Sequence, residues 1–135
     1  MNKMRRKELA RIVAKLEELE STAAAYGHAM GLLGVDASTI APAKSAPGRG
    51  KTMEVLSAVV YGLTADPANM DLIRYLESHD PELTDIQRRQ TQLLRKSVEQ
   101  LSRIPQEEYV AYSVLMNDAQ AVWAKAKNED DFASF

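Results

Sequence analysis

The stretch Ser45-Ala46-Pro47-Gly48-Arg49-Gly50-Lys51-Thr52 comes nearest to a chemical motif in this 135-residue chain. In a phosphate-cradling loop, glycines let backbone amides wrap the phosphates while a lysine reaches the outer ones. Here Ser45 stands where the first glycine belongs, and Pro47 removes an amide donor. Ile40-Ala41-Pro42-Ala43-Lys44, just ahead of it, is no buried strand, and no later strand offers a magnesium-binding Asp. The stretch reads as a loop feeding a helix start, and nucleotide binding is the weakest of the functional alternatives.

Two imidazoles are present, His28 and His79. Neither belongs to a His-Glu-x-x-His motif, since Ala29 follows the one and Asp80 the other. Zinc takes three or four ligands converging at about 2 Å, and no set of residues at helical spacings supplies them. His79 is expected near a helix C-terminus, where a partly protonated ring suits the dipole, and His28 as a packed or rim residue. With no Cys and no plausible Ser-His pair, nucleophilic catalysis lacks support. Catalytic, cofactor-binding and metal residues are therefore all expected to be none in this chain. Arg88, Arg89, Arg95, Lys96 and Arg103 form a basic ridge, but Glu99, Glu107 and Glu108 dilute its field, so it reads as a solvated face. Lys3 to Lys7 read as basic side chains at a solvated helix start.

Composition narrows the partners. The chain carries 45% apolar and 27% charged residues, ordinary for a globular protein and against wholesale disorder. Its length fits one domain able to bury roughly two thirds of its unfolded surface. A net charge of −2 gives no electrostatic reason for nucleic acid or membrane partners. No apolar run approaches the roughly 18 to 20 residues needed to span a bilayer. The absence of cysteine leaves no disulfide or thiolate site and favours a cytoplasmic location.

The elements that would position these groups are all helices. Leu9, Ile12, Leu16, Leu19, Ala23, Tyr26, Met30 and Leu33 recur at steps of three and four, a heptad seam. An unbroken helix from Lys3 to Leu33 would run about 45 Å, against roughly 37 Å across a compact domain of this size. Either it bends near Gly27 or Gly31, or the domain is elongated. Residues 35–50 are the expected loop, with Pro42, Pro47, Gly48 and Gly50. A helix follows from Lys51 to Leu63, a shorter one opened by Asp66-Pro67 and running to Ser78, and another from the capping-box spacing Thr84 to Gln87 through to Ile104. Pro105 then suits the first turn of a last helix, whose buried stripe is expected at Tyr109, Tyr112, Met116, Ala119, Trp123 and Ala126. No Gly or Pro after Phe135 ends it, which reads as a piece of a larger protein. The fold class is all-α: about five helices in residues 1–135, with a long N-terminal helix and helical-hairpin or bundle packing.

Four blocks carry a family likeness: Val35-Asp36-x-x-Thr39-x-x-Pro42; Arg49-Gly50-Lys51-x-Met53-x-x-Leu56-Ser57; Ile104-Pro105-x-Glu107-Glu108-Tyr109-Val110-Ala111-Tyr112; and Trp123-x-x-Ala126-Lys127-x-x-x-Asp131-Phe132-Ala133-x-Phe135. From about Ala24 onward the chain resembles the N-terminal region of the carboxypeptidase Taq family of thermostable zinc metallocarboxypeptidases. The last block is the most specific. Val35 departs from the Trp that family usually has before the Asp matched to Asp36. The resemblance implies an enzyme that removes C-terminal residues from peptides with a zinc-activated water, and N-terminal helices that wall its cleft. The family's zinc-binding His-Glu-x-x-His helix lies beyond Phe135, so none of its catalytic or metal residues maps onto this chain. Zinc belongs to the full-length family, no cofactor is expected here, and the chain alone should be inactive. Peptide substrate is likewise implied only for the full-length enzyme.

The alternative of a different class is a stand-alone helical oligomerisation or protein-interaction domain. On either reading the seam and the aromatics Trp123, Phe132 and Phe135 predict a homo-oligomer through apolar helix surfaces.

Overall fold

The computed structural model describes residues 3–131 and Ala133; Met1, Asn2, Phe132, Ser134 and Phe135 lie outside the described residues. The expected exposure of Phe132 and Phe135 therefore falls outside them too. Five α-helices follow in order: α1 Lys3–Thr39, α2 Ala46–Ala65, α3 Ala68–Ser78, α4 Asp85–Leu101 and α5 Gln106–Asn128, with 3-10 turns at Ala43–Ser45 and Asp80–Glu82. No strand occurs among the described residues. The fold is all-α with a long N-terminal helix, as the periodicities require. Packing divides the chain into two compact units, Met1–Ala24 with Tyr61–Ile104, and Ala25–Val60 with Pro105–Phe135.

The first unit holds the continuous apolar core. Leu9 and Leu16 of α1 meet Ile73 and Leu76 of α3, Leu83 of the connection, and Leu94 and Val98 of α4; Ile12, Leu19 and Tyr75 pack around them. Leu16, Ile73 and Leu76 are fully excluded from water, each worth about 1.5–3 kcal/mol relative to exposure. The first half of the seam is thus a core face. Caps set the helix starts. The Asp66 carboxylate accepts the Ala68 N–H at 2.8 Å, so the Asp-Pro pair opens α3 as expected. Thr84 Oγ1 accepts the Gln87 N–H at 3.2 Å while Gln87 Oε1 accepts the Thr84 N–H at 3.0 Å, the reciprocal capping box. Asn69, almost fully buried, donates from Nδ2 to the Leu63 and Thr64 carbonyls, pairing acceptors that the end of α2 leaves open.

In the second unit, three expectations are corrected. The loop at 35–50 is much shorter: α1 continues through Gly27 and Gly31 to Thr39, and α2 already starts at Ala46. Residues 35–39 contain no breaker, and the Ile40 and Ala41 N–H groups both close on the Asp36 carbonyl before Pro42. Pro47 and Gly48 fall in the first turn of α2, where a missing donor costs no helical bond.

The buried face of α5 is also rotated from the expected stripe. Tyr112 is 60% exposed, Met116 52% and Trp123 45%, while Asn117 is only 6% exposed. Of the expected stripe, Tyr109 is partly buried and Ala126 buried; Val110, Ser113, Val114, Gln120, Ala121 and Ala124 are the other partly buried residues of the helix alongside Asn117. Small and polar side chains took the interior because α5 meets α2 closely at Gly50. A Cβ built there would lie 3.3 Å from Asn117 Nδ2.

Finally, α5 ends at Asn128, without a glycine. Asp130 takes a left-handed conformation at φ 53°, and the Asp131 N–H returns to the Ala126 carbonyl at 2.9 Å. That is a Schellman-type stop, in which Asp replaces the usual Gly. At the other end, Pro105 sits just outside the helix, with ψ 143°.

Candidate functional site

The most structured polar cluster of the second unit is built on the stretch that resembled a phosphate loop. Because residues 46–52 are helical, Gly48 and Gly50 cannot present a row of amides to a ligand. Lys51 turns back on its own helix, with Nζ 2.8 Å and 2.9 Å from the two carboxylate oxygens of Glu54. The phosphate-loop reading fails on both counts.

Arg49 does something else. Its Nε donates to Asn117 Oδ1 at 2.9 Å and its Nη1 to Ser45 Oγ at 3.2 Å. Asn117 Nδ2 in turn donates to Asp118 Oδ1 at 3.0 Å and reaches the Ala46 carbonyl at 3.5 Å. The buried amide ties the first turn of α2 to the middle of α5, and Gly50 leaves it the room.

Beside this cluster lies a cavity of about 500 Å³. Arg49 and Asn117 supply its polar end, while Leu33, Met53, Met116 and Trp123 supply apolar walls. Lys127 Nζ stands 5.0 Å from the centre of the Trp123 ring, a cation–π distance. A wider groove of about 1030 Å³ runs along the opposite flank of α2 and α5, lined by Val55, Val59, Val110 and Leu115 with Glu54 and Glu107 at its edge. Gln106 and Asp118 also line it, and no basic residue does among those described.

The other candidates serve the fold. His79 is buried and caps α3. Its Nδ1 lies 2.8 Å from the Tyr75 carbonyl and 2.9 Å from Ser78 Oγ, while Arg5 Nε approaches its Nε2 at 3.3 Å. Both nitrogens are committed, and the ring also stacks on Tyr75 with centroids 4.3 Å apart. His28 is exposed. Two of the five residues of the basic ridge are paired with acids. Arg88 bonds Asp80 and Asp85, and Arg95 bonds Glu77 and Glu99. Both guanidiniums are pushed further toward the charged form, Arg88 by Asp80 first and Arg95 by Glu77 first.

The sequence had singled out Arg49 only as part of a motif and had passed over Asn117. The available signal was an Asn directly after the apolar run Val114-Leu115-Met116, where a polar residue turned inward is retained only if it finds partners.

Comparison with known proteins extends the picture. The profile of the carboxypeptidase Taq (M32) metallopeptidase family matches residues 15–135. Carboxypeptidase 1 of Bacillus subtilis (strain 168) is 27% identical over 110 residues, covering 82% of this chain and 22% of that protein. The crystal structure titled BsuCP superposes with a TM-score of 0.89 at 25% identity, over 93% of this chain and 25% of its own. The chain thus spans about a quarter or less of the length of these relatives.

Proposed function

This chain belongs to the carboxypeptidase Taq (M32) metallopeptidase family, and from that premise we propose that its helices form scaffold and cleft wall of a zinc-dependent carboxypeptidase that releases C-terminal amino acids from peptides. One observation carries the reading. The fold match runs along nearly the whole of this chain yet occupies only 25% of the solved neighbour, the relation expected of one part of a larger enzyme.

The described residues do not fit a zinc site. No three His, Cys, Asp or Glu among them converge to hold a metal, and His79 has committed both ring nitrogens. On this reading the metal and the groups that activate water belong to other parts of the enzyme. The contribution of this chain is rigidity and shape: the buried core of Leu16, Ile73 and Leu76, and the Arg49–Asn117 tie between α2 and α5.

Two further proposals accompany this one. No helix of the described residues is long and apolar enough to cross a membrane, and the lack of cysteine suits a reducing compartment, so we place the protein in the cytoplasm. The outward apolar residues of α5, Tyr112, Leu115 and Trp123, are the surface we assign to self-association.

The test is an assay of the 135-residue chain with added zinc and an N-blocked dipeptide. The expected result is no release of the C-terminal amino acid. Zinc-dependent release would mean that the chain carries a catalytic site of its own and would overturn the scaffold reading.

A further inference from the structure

We propose that the cavity between Arg49, Asn117 and Trp123 binds a small carboxylate with an apolar or aromatic body and no cationic group. This stands independently of the carboxypeptidase reading, because it rests only on the chemistry of the walls.

The charge comes from Arg49. Arg5, Arg11, Arg74, Arg88 and Arg95 each meet a carboxylate. Arg49 is instead bonded to two neutral oxygens, Asn117 Oδ1 and Ser45 Oγ. A half-buried guanidinium has given up part of its hydration, and among the described residues no carboxylate bonds it directly; Asp118 reaches it only through Asn117. The Asn117 bond to Nε fixes the plane of the fork, while Nη2 is left uncommitted in these bonds. A carboxylate is the planar anion that matches such a fork.

The body of the ligand is set by the rest of the lining. Leu33, Met53, Met116 and Trp123 offer a ring face and two adaptable thioethers, suited to an aromatic or branched apolar group. Among the described residues no Asp or Glu lines the cavity, and Ser113 and Gln120 offer only neutral oxygens. A ligand ammonium would therefore be desolvated without a countercharge, which disfavours free amino acids. A multiply charged phosphate would find, among the described residues, one lining cation, Arg49. The volume of about 500 Å³ lies within the roughly 300–1,000 Å³ usual for small-molecule sites.

Trp123 is the single tryptophan of the chain and a wall of this cavity, so tryptophan fluorescence at a fixed protein concentration reads its occupation. Titration of the 135-residue chain with 3-phenylpropanoate should give a saturable change. Its uncharged isostere 3-phenylpropanamide should bind at least tenfold more weakly, and phenylalanine, which adds an ammonium, should also bind more weakly. Arg49→Gln should reduce 3-phenylpropanoate affinity at least tenfold with helical circular dichroism unchanged. If that variant loses helicity, the comparison of acid with amide on the unaltered chain decides alone. No saturable change with the acid, an amide that binds as tightly, or phenylalanine that binds as tightly would each overturn the proposal.

Discussion

Asn117 does more for this structure than its size suggests. It is a buried amide in a helix that sequence would pack on aromatics, and it survives burial because Arg49, Ala46 and Asp118 satisfy it. Its neighbour Gly50 gives a direct test. In helix interiors Gly→Ala normally stabilises by about 0.5–1 kcal/mol. Gly62, where an added Cβ meets nothing within 4 Å, should show that gain in thermal unfolding. At Gly50 a Cβ would come within 3.3 Å of Asn117 Nδ2, and Asn117 is held by its own bonds. Gly50→Ala should therefore lose the gain or be destabilising. Equal stabilisation at both sites would show that the α2–α5 contact is loose. His79 teaches a related lesson. Its place at the end of α3 was legible from the Asp80-Pro81 break that follows it. Its contact with Arg5 was not, because Arg5 lies 74 positions away.

At the scale of elements, local chemistry was the readable part. The Asp66-Pro67 start of α3, the Ser78 end and the Thr84–Gln87 box all follow from short-range rules, and all are present. Thr84→Ala should cost about 1 kcal/mol in denaturant midpoint with the slope unchanged. No measurable loss would mean that the box is a surface decoration and does not set the start of α4. The misreadings came where two elements meet. Residues 35–50 looked like loop because Pro and Gly were weighed as breakers, yet Pro47 and Gly48 fall in first-turn positions that tolerate them, and Pro42 alone lies in the connection. The stripe of α5 was read from large side chains, and the actual inner face was chosen by close approach to Gly50. Even the stop after Asn128 used Asp130 in a conformation usually reserved for glycine. Periodicity locates a helix well. It does not say which of two plausible faces its neighbour will accept.

For the whole molecule, the family likeness was legible in four blocks of residues. The cavity beside Arg49 was not, because it is assembled from α1, α2 and α5, distant in sequence. Exposed Tyr112, Leu115, Met116, Val122 and Trp123 form more apolar surface than an isolated helix usually leaves to water. Sedimentation of the 135-residue chain at micromolar concentration should therefore give a dimer or larger species, weakened by Leu115→Ser together with Trp123→Ser. A monomer of 15.0 kDa would contradict self-association.

The central claim is that these helices are a working part of a carboxypeptidase, and a graft tests it most directly. Replace the matched segment of the Bacillus subtilis carboxypeptidase 1, 22% of its length, with this chain, and measure release of the C-terminal residue from a blocked dipeptide. The account predicts metal-dependent release by the chimera and none from the same enzyme with the segment deleted. A chimera that folds and retains its metal, yet releases no more than the deletion, would contradict it.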